Sequence, residues 1–213
     1  MRKKDFIIVM ADIVDSRNMQ QNKLMKSFKK ITDEINYEKK DILLSPITIT
    51  LGDEFQCVVK NVEAGIELML AIDEKKLYEM ADFKLRYVLV EGGIETPINH
   101  EIAYGMLGEG LTIAREKLIE YKNAYHRYSI QLNNISKSEA LANSLIVYQN
   151  ITDTWKMEKD YHLIARFLEL KDYKLVADEL GKTRSQIWKR EKSLNLEAYF
   201  SIKQVINYIA ETT

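Results

Sequence analysis

The sequence predicts an α+β domain followed by an all-helical unit. Short runs of β-branched and apolar residues alternate with longer segments of helical periodicity over roughly the first 150 residues. Beyond that point no strand pattern occurs, and every segment has helical periodicity. With only two prolines and eight glycines in 213 residues, the helices should be long and the connections short. We place the first domain at residues 1–150 and the helical domain at residues 151–213.

The chain begins with a predicted strand, helix and hairpin. Residues 6–13 form an apolar run interrupted only by Asp12 near its end, as expected for a buried central strand. A helix follows, because apolar residues recur at steps of four, three and four positions. They are Leu24, Phe28, Ile31 and Ile35. After Pro46, the β-branched residues 47–51 predict a strand that turns at Gly52-Asp53 and returns at residues 55–59.

The rest of the first domain adds a helix, a strand and three further elements. Residues 62–73 have helical periodicity, and residues 85–90 predict a strand closed by two glycines. The order β-α-β-β-α-β is the split βαβ pattern of the ferredoxin-like fold. The later elements are a helix opened by Gly108-Glu109-Gly110, a short strand at 128–132, and a helix at 136–150 with Ser136 and Glu139 spaced as a capping box.

Composition excludes several classes of protein. Hydrophobic residues make up 46% of the chain and charged residues 30%, which indicates a packed soluble protein and not a disordered one. The formal net charge of −1 gives no overall attraction to nucleic acid or to anionic membranes. Cys57 is the only cysteine, so no internal disulfide can form. No run approaches the roughly 18 apolar residues of a membrane span, and we expect a cytoplasmic protein.

Two short acidic segments are candidates for a metal site. Asp12 ends the first predicted strand, and Asp53 lies in the bend of the hairpin, with Asp15 and Glu54 nearby. If the two strands lie side by side, their carboxylates meet at one edge of the sheet, as a hard divalent cation requires of its oxygen ligands. Two alternatives need no metal. Gly52-Asp53 is a residue pair typical of tight turns, and Asp12 could simply cap the segment that follows its strand.

Three motifs resemble those of class III nucleotide cyclases, in the same order and on the same predicted elements. Residues 11–14, Ala-Asp-Ile-Val, are similar to the first metal motif. Residues 51–55, Leu-Gly-Asp-Glu-Phe, are similar to both the second metal motif and the signature of diguanylate cyclases (GGDEF-like). Residues 110–115 resemble the helix that carries an Asn and an Arg beside the reacting phosphate. The whole chain resembles the SatD family of bacterial proteins, which implies an architecture but no defined reaction.

The cyclase resemblance implies a nucleoside triphosphate bound together with Mg²⁺ or Mn²⁺. Asp12 and Asp53 would hold the metal, and Arg115 and Glu54 are the candidate catalytic residues. The implied nucleotide-binding residues are Ile13, Val14, Asp15, Ser16, Arg17 and Gly52. Of these, Arg17 is suited to clamp a phosphate with two parallel hydrogen bonds.

The sequence departs from the cyclase pattern at positions that serve the reaction itself. When Arg115 is aligned with the cyclase arginine, Leu111 stands where the transition-state Asn belongs. Ile49 stands where the purine-selecting Lys belongs. Loss of an electrostatic donor aimed at the transition state costs about 10²–10³ in rate, so binding should survive these changes better than cyclisation. Diguanylate-cyclase or polymerase-type transfer, which uses other base contacts, stays open.

Residues 173–190 have the pattern of a helix-turn-helix. Ala177 is small where two helices approach, and Gly181 falls at the turn, where a left-handed residue ends a helix. Ile187 would pack back into the pair. The other predicted core residues are Leu175, Val176, Leu180 and Leu194, and Thr183 or Ser185 would cap the second helix.

The second helix of this pair is the candidate DNA-binding element. Residues 182–192 hold five basic residues against Glu191 alone. The predicted DNA-binding residues are Thr183, Arg184, Ser185, Gln186, Lys189 and Arg190. The alternative is a helical pair used for dimerisation or docking, with Trp188 in its core. Residues 160–213 carry nine Lys/Arg against eight Asp/Glu, which is few for a strong phosphate binder.

Together these patterns predict a cytoplasmic regulator that binds a nucleoside triphosphate with Mg²⁺ and transmits its state to a DNA-binding helix. A homodimer would present two half-sites to DNA. The first alternative is an active nucleotidyl transferase or cyclase that makes a signalling nucleotide. The second alternative is a DNA-binding protein whose first domain is a relic used only for dimerisation.

Overall fold

A five-stranded mixed sheet lies at the centre of the first half of the chain in the computed structural model, which describes residues 4–212. The strands are β1 (Asp5–Ile13), β2 (Leu43–Ile49), β3 (Glu54–Val59), β4 (Leu85–Gly93) and β5 (Tyr128–Gln131), in the spatial order β2-β3-β1-β4-β5. All pairs among β1 to β4 are antiparallel, and β5 is parallel to β4. The predicted α+β class and the β-α-β-β-α-β order are confirmed.

Within the described residues, eight α-helices accompany and follow the sheet. They are α1 (Gln21–Glu38), α2 (Val62–Tyr78), α3 (Glu109–Glu120), α4 (Ile135–Thr152), α5 (His162–Leu170), α6 (Tyr173–Glu179), α7 (Arg184–Ser193) and α8 (Leu196–Glu211). After α4 the described chain contains helices and turns only, as its periodicity predicts. None of the helices up to residue 212 is both long and apolar enough to cross a membrane.

Different helices cover the two faces of the sheet. Side chains alternate between the faces along β1, so that Ile7 and Val9 join the core formed with α1 and α2. Ile8 and Met10 point the opposite way and join a smaller core formed with α3. These side chains are almost completely buried, and each contributes about 1.5–3 kcal/mol to folding. The apolar run of β1 therefore follows from its position between two covered faces.

Two glycines let α3 lie directly on the sheet. A Cβ on Gly110 would be 2.7 Å from the carbonyl carbon of Gly92 and 2.8 Å from Cδ1 of Ile8. A Cβ on Gly92 would be 2.7 Å from Cα of Gly110. The helix and strand backbones approach so closely that neither position has room for a side chain. The sequence predicts that Gly92 and Gly93 close β4, but the strand continues through Gly93, because both of these glycines pair with the start of β1.

Two predicted element starts are wrong. Strand β2 begins at Leu43 and contains Pro46, which the prediction places before the strand. The sheet tolerates this proline because β2 is an edge strand whose pairing with β3 shifts register between Ser45 and Thr48. Helix α4 begins one residue earlier than predicted, so its cap is not Ser136. The side chain of Asn134 accepts a hydrogen bond from the Lys137 amide instead.

The helical part of the chain shares a hydrophobic core with the first part. Tyr199 of α8 is fully buried, with its ring 4.9 Å from that of Trp155 and 5.6 Å from that of Tyr148 in α4. Its hydroxyl donates a 2.6 Å hydrogen bond to Glu74 of α2. The indole of Trp155 donates to the Leu194 carbonyl at 3.0 Å. The division at residue 150 stays a prediction, and α4 runs through that position.

Candidate functional site

Three charged side chains lie in a row across the sheet at the end of β1. The register pairs Asp12 of β1 with Glu54 of β3 on one side and with Arg86 of β4 on the other. All three face α3, because Asp12 occupies the same alternating positions as Ile8 and Met10. Their exposed fractions are only 4%, 7% and 6%, respectively. The register thus brings the two acidic segments of the sequence together, inside the protein and not on its surface.

Arg86 binds Asp12 and was not singled out by the sequence. Its Nη1 lies 2.8 Å from both carboxylate oxygens of Asp12, and its Nη2 donates to the Lys122 carbonyl at 3.0 Å. One sequence signal does mark this residue, since it is a charged position inside an otherwise apolar predicted strand. Its partner, however, follows only from the pairing of β1 with β4.

Helix α3 and the turn after it supply two cations to Glu54. Arg115 of α3 forms an ion pair with Glu54 through its Nη1. Lys122, in the turn Tyr121–Asn123, places its Nζ 3.6 Å from the other carboxylate oxygen of Glu54. The predicted catalytic pair of Arg115 and Glu54 is therefore brought together. Lys122 is a site residue that the sequence analysis missed.

The bend before β3 packs against the loop after β1. Gly52 has a φ of +81°, which favours glycine in this bend, and the Asp53 carbonyl accepts from the Ile13 amide at 2.9 Å. The Asp53 carboxylate accepts a 2.5 Å hydrogen bond from the Ser16 hydroxyl. Both acids of the second motif thus have partners within the chain.

The loop after β1 contains the remaining predicted nucleotide contacts. The Val14 amide already donates to the Lys84 carbonyl at 2.9 Å. Asp15 is exposed and has a left-handed conformation with φ of 54°, and it precedes a short 3₁₀ turn at Ser16–Asn18. Arg17 in this turn is exposed to solvent. The first amides of the loop and the Ser16 hydroxyl are thus occupied, and Arg17 is its exposed cationic residue.

The surroundings of Asp12 raise its pKa. Burial in the protein favours the neutral carboxyl and raises the pKa of Asp12 to about 6. The neighbouring Arg86 and Lys122 lower this pKa, but their effect is smaller than that of burial. Asp12 is therefore ionised above about pH 6 and becomes neutral below it.

The residues present do not fit a divalent cation. Both oxygens of Asp12 already accept from Arg86, and Glu54 is paired with Arg115 and Lys122. A divalent cation needs several oxygen ligands that are free to approach it. Throughout residues 4–212, no three His, Cys, Asp or Glu side chains form a group that could hold a metal ion. The assignment of Mg²⁺ or Mn²⁺ to Asp12 and Asp53 remains a prediction, which this arrangement disfavours.

Helices α6 and α7 are joined by a short turn that agrees with the sequence pattern. Gly181 has a φ of +60°, as a left-handed residue at the end of α6 requires. Val176 and Ile187 are buried between the helices. Leu175, predicted in the core, is 52% exposed, and Trp188 is 45% exposed, so neither is a core residue. The helical spacing places Leu175 on the outer side of this short pair.

Three of the six predicted DNA-binding residues have structural partners that limit their availability. Thr183 caps α7 and exchanges hydrogen bonds with Gln186 in a capping box, which confirms the predicted cap. Arg190 is paired with the buried Asp160. The other three are exposed on α7, and one of them lies 3.5 Å from an acidic partner, Asp178. These three are Arg184, Ser185 and Lys189.

Comparison with known proteins identifies one sequence family and a set of cyclase structures. The sequence model of the SatD family matches residues 6–209. Among solved structures, a bacterial light-regulated adenylyl cyclase is 14% identical, with a TM-score of 0.45 over 61% of this chain and 77% of that chain. A second structure of a bacterial light-regulated adenylyl cyclase is 15% identical, with a TM-score of 0.43 over 61% of this chain and 43% of that chain.

A fungal guanylyl cyclase domain is a further structural neighbour. The monomeric guanylyl cyclase domain of the RhoGC fusion protein from the aquatic fungus Blastocladiella emersonii is 13% identical. Its TM-score is 0.36 over 54% of this chain and 74% of that chain. No protein with a curated description matches this chain.

Proposed function

The chain belongs to the SatD family, and from its site geometry we propose that it binds a nucleotide through the phosphate groups at the end of β1. The observation that carries the proposal is the convergence of cationic side chains on one acidic edge. Arg115 and Lys122 reach this edge from α3 and the following turn. Exposed Arg17 follows Ser16 in the loop after β1, and the Ser16 hydroxyl binds Asp53 of the neighbouring bend. These groups are the donors that phosphate oxygens require.

The two cations on Glu54 are accessible enough to change partners. The exposed fractions of the Arg115 and Lys122 side chains are 33% and 49%, whereas Glu54 beneath them is buried. A phosphate arriving from solvent would therefore meet the guanidinium and the ammonium first. Binding would exchange part of their attraction to Glu54 for hydrogen bonds to phosphate. Arginine suits this exchange because it can donate two parallel hydrogen bonds.

Binding, and not turnover, is the function that we propose for this site. Leu111 is an apolar side chain where the resembling enzymes carry an amide donor, and Ile49 is apolar where they carry a base-selecting lysine. Neither side chain can donate a hydrogen bond to a reacting phosphate or to a base. A nucleoside triphosphate is the ligand class that the three motifs favour. Release of pyrophosphate from any triphosphate would replace this proposal with the transferase alternative.

Thermal unfolding with each of the four ribonucleoside triphosphates tests the proposal. A ligand at 100 times its Kd adds about 2.7 kcal/mol, which raises Tm by roughly 5–11 °C for a chain of this size. We expect such a shift with at least one nucleotide, and we expect Arg115→Gln to reduce it. Lys117→Gln, on the same helix, is the matched control and should keep the full shift. No shift with any of the four nucleotides would contradict the proposal.

We also propose that α7 contacts DNA, because Arg184, Ser185 and Lys189 are exposed together on one well-capped helix. Fluorescence anisotropy with labelled duplexes at several salt concentrations tests this. Arg184→Ala and Lys189→Ala should each weaken binding and lower the salt slope by about 1, as expected for a lost phosphate contact. Lys174→Ala on α6 is the control and should change neither quantity.

A homodimer would strengthen this DNA contact by presenting two copies of α7 to two half-sites. Analytical ultracentrifugation with and without duplex tests the stoichiometry. Two chains per duplex would support the dimer, and one chain per duplex would contradict it.

A further inference from the structure

The position beside Asp12 that a bound cation would take is filled by a side chain of the protein itself. Nη1 of Arg86 lies 2.8 Å from Oδ1 and 2.8 Å from Oδ2 of Asp12. A cation that binds both oxygens of one carboxylate lies at a similar, equidistant position. Arg86 therefore occupies the direction from which an ion would bind both oxygens of this carboxylate.

The backbone around Arg86 holds it in that position. Arg86 lies on β4, an interior strand paired with β1 on one side and with β5 on the other. Its Nη2 is bound to the Lys122 carbonyl, and only 6% of the residue is exposed. Its Nε is buried and has no hydrogen-bond partner in the described part of the chain. The guanidinium is thus fixed by its two terminal nitrogens, which bind Asp12 and the Lys122 carbonyl, and not by its Nε.

Charge balance gives Arg86 its role. Asp12 and Glu54 are directly opposite each other on neighbouring strands, where like charges repel. Arg115 and Lys122 both contact Glu54, which leaves Arg86 as the cation in contact with Asp12. Without Arg86, a buried carboxylate would stand beside a second carboxylate with no cation in contact. Such a pair is strongly destabilised unless another cation enters or one of the carboxyl groups takes up a proton.

We propose that Arg86 is a built-in substitute for a divalent cation at this site, and that the site takes its phosphate-bearing ligand free of metal. The first part follows from the Asp12–Arg86 geometry alone. The second part rests on the proposed nucleotide binding. Arg86 supplies the positive charge permanently, so that the affinity for ligand does not depend on the concentration of a free metal ion.

Binding of Mn²⁺ alone, followed by its electron paramagnetic resonance signal, tests the first part. We expect no binding to the wild-type protein that depends on Asp12. Arg86→Met removes the charge but keeps an apolar chain of similar length, and it should raise Mn²⁺ affinity by roughly tenfold or more. Arg86→Lys keeps a positive charge and is the matched control, which should behave as the wild type. Adding Asp12→Asn to Arg86→Met should abolish the gained binding.

Two results would overturn this part. The first is that the wild-type protein binds Mn²⁺ and that Asp12→Asn abolishes this binding. This result can be obtained without any Arg86 variant. The second is a folded Arg86→Met protein with unchanged Mn²⁺ affinity. If Arg86→Met does not fold, Arg86→Gln takes its place, because its amide can still donate to Asp12.

Nucleotide-induced thermal shifts, recorded in EDTA and again with Mg²⁺, test the second part. Equal shifts under the two conditions are expected. A shift that appears only with Mg²⁺ would overturn the metal-free ligand while leaving nucleotide binding intact. No shift under either condition would mean that nucleotide binding itself fails, and the Mn²⁺ experiment would still decide the role of Arg86.

Discussion

Asp12→Asn should change how the stability of the protein depends on pH. Burial raises the pKa of this carboxyl from 3.8 to about 6 in the folded protein. The folded protein then binds the proton more tightly than the unfolded chain does, so the free energy of unfolding falls as pH rises between these two values. A rise from 3.8 to about 6, at 1.36 kcal/mol per pH unit, corresponds to about 3 kcal/mol. This contribution is complete below pH 3.8 and lost above about pH 6.

Urea unfolding of the wild-type and Asp12→Asn proteins between pH 4 and pH 7 measures this effect. The free energy of unfolding of the variant, minus that of the wild type, should increase by about 2.4 kcal/mol over this range, which is most of the full effect. Titrating groups that do not interact with Asp12 cancel in the difference. Asp33→Asn is the control, because Asp33 is an exposed acid paired with Lys29 on the surface of α1.

The sign of this change tests the physical reasoning. A difference that stays constant with pH would mean that the attraction of Arg86 for the carboxylate equals the cost of burying it. A difference that decreases as pH rises would mean that Arg86 outweighs burial and that the pKa of Asp12 is lowered. Either result would refute the argument that burial dominates at this site.

Two further predictions concern packing. Gly110→Ala should destabilise the protein by about 1–3 kcal/mol, because its Cβ would lie 2.7 Å from the carbonyl carbon of Gly92. Glu116→Ala on the same helix should cost much less, and equal losses of stability in chemical denaturation would contradict this prediction. Trp155→Phe should cost about 1–3 kcal/mol, because it removes the buried hydrogen bond to the Leu194 carbonyl. An unchanged urea midpoint for this variant would show that the bond contributes nothing.

Much of the fold could be predicted because its elements are local patterns. The steps between Leu24, Phe28, Ile31 and Ile35 define one face of α1, and all four are buried. The ends of these elements are harder to predict from sequence, because they depend on neighbouring strands and helices that are distant in sequence. Pro46 fits within β2 only because that strand lies at the edge of the sheet, and the end of β4 depends on its pairing with the start of β1.

Part of the site could likewise be predicted, because it depends on residues at the ends of predicted elements. Asp12 and Glu54 stand at strand ends, and the hairpin makes their approach a reasonable expectation from sequence. Arg86 is 74 residues from Asp12, and only the register of β1 against β4 joins them. A one-residue shift of that register would place Arg86 on the opposite face of the sheet, among apolar side chains.

The sequence by itself determined the order of strands and helices, the apolar faces that form the core, and the presence of carboxylates at the end of β1. These features depend on residue type and on spacing within a few turns of the chain. Only the tertiary structure decided what those carboxylates contact. Strand register and the placement of α3 bring Arg86, Arg115 and Lys122 onto them, because side chains far apart in sequence meet only where the backbones that carry them pack together.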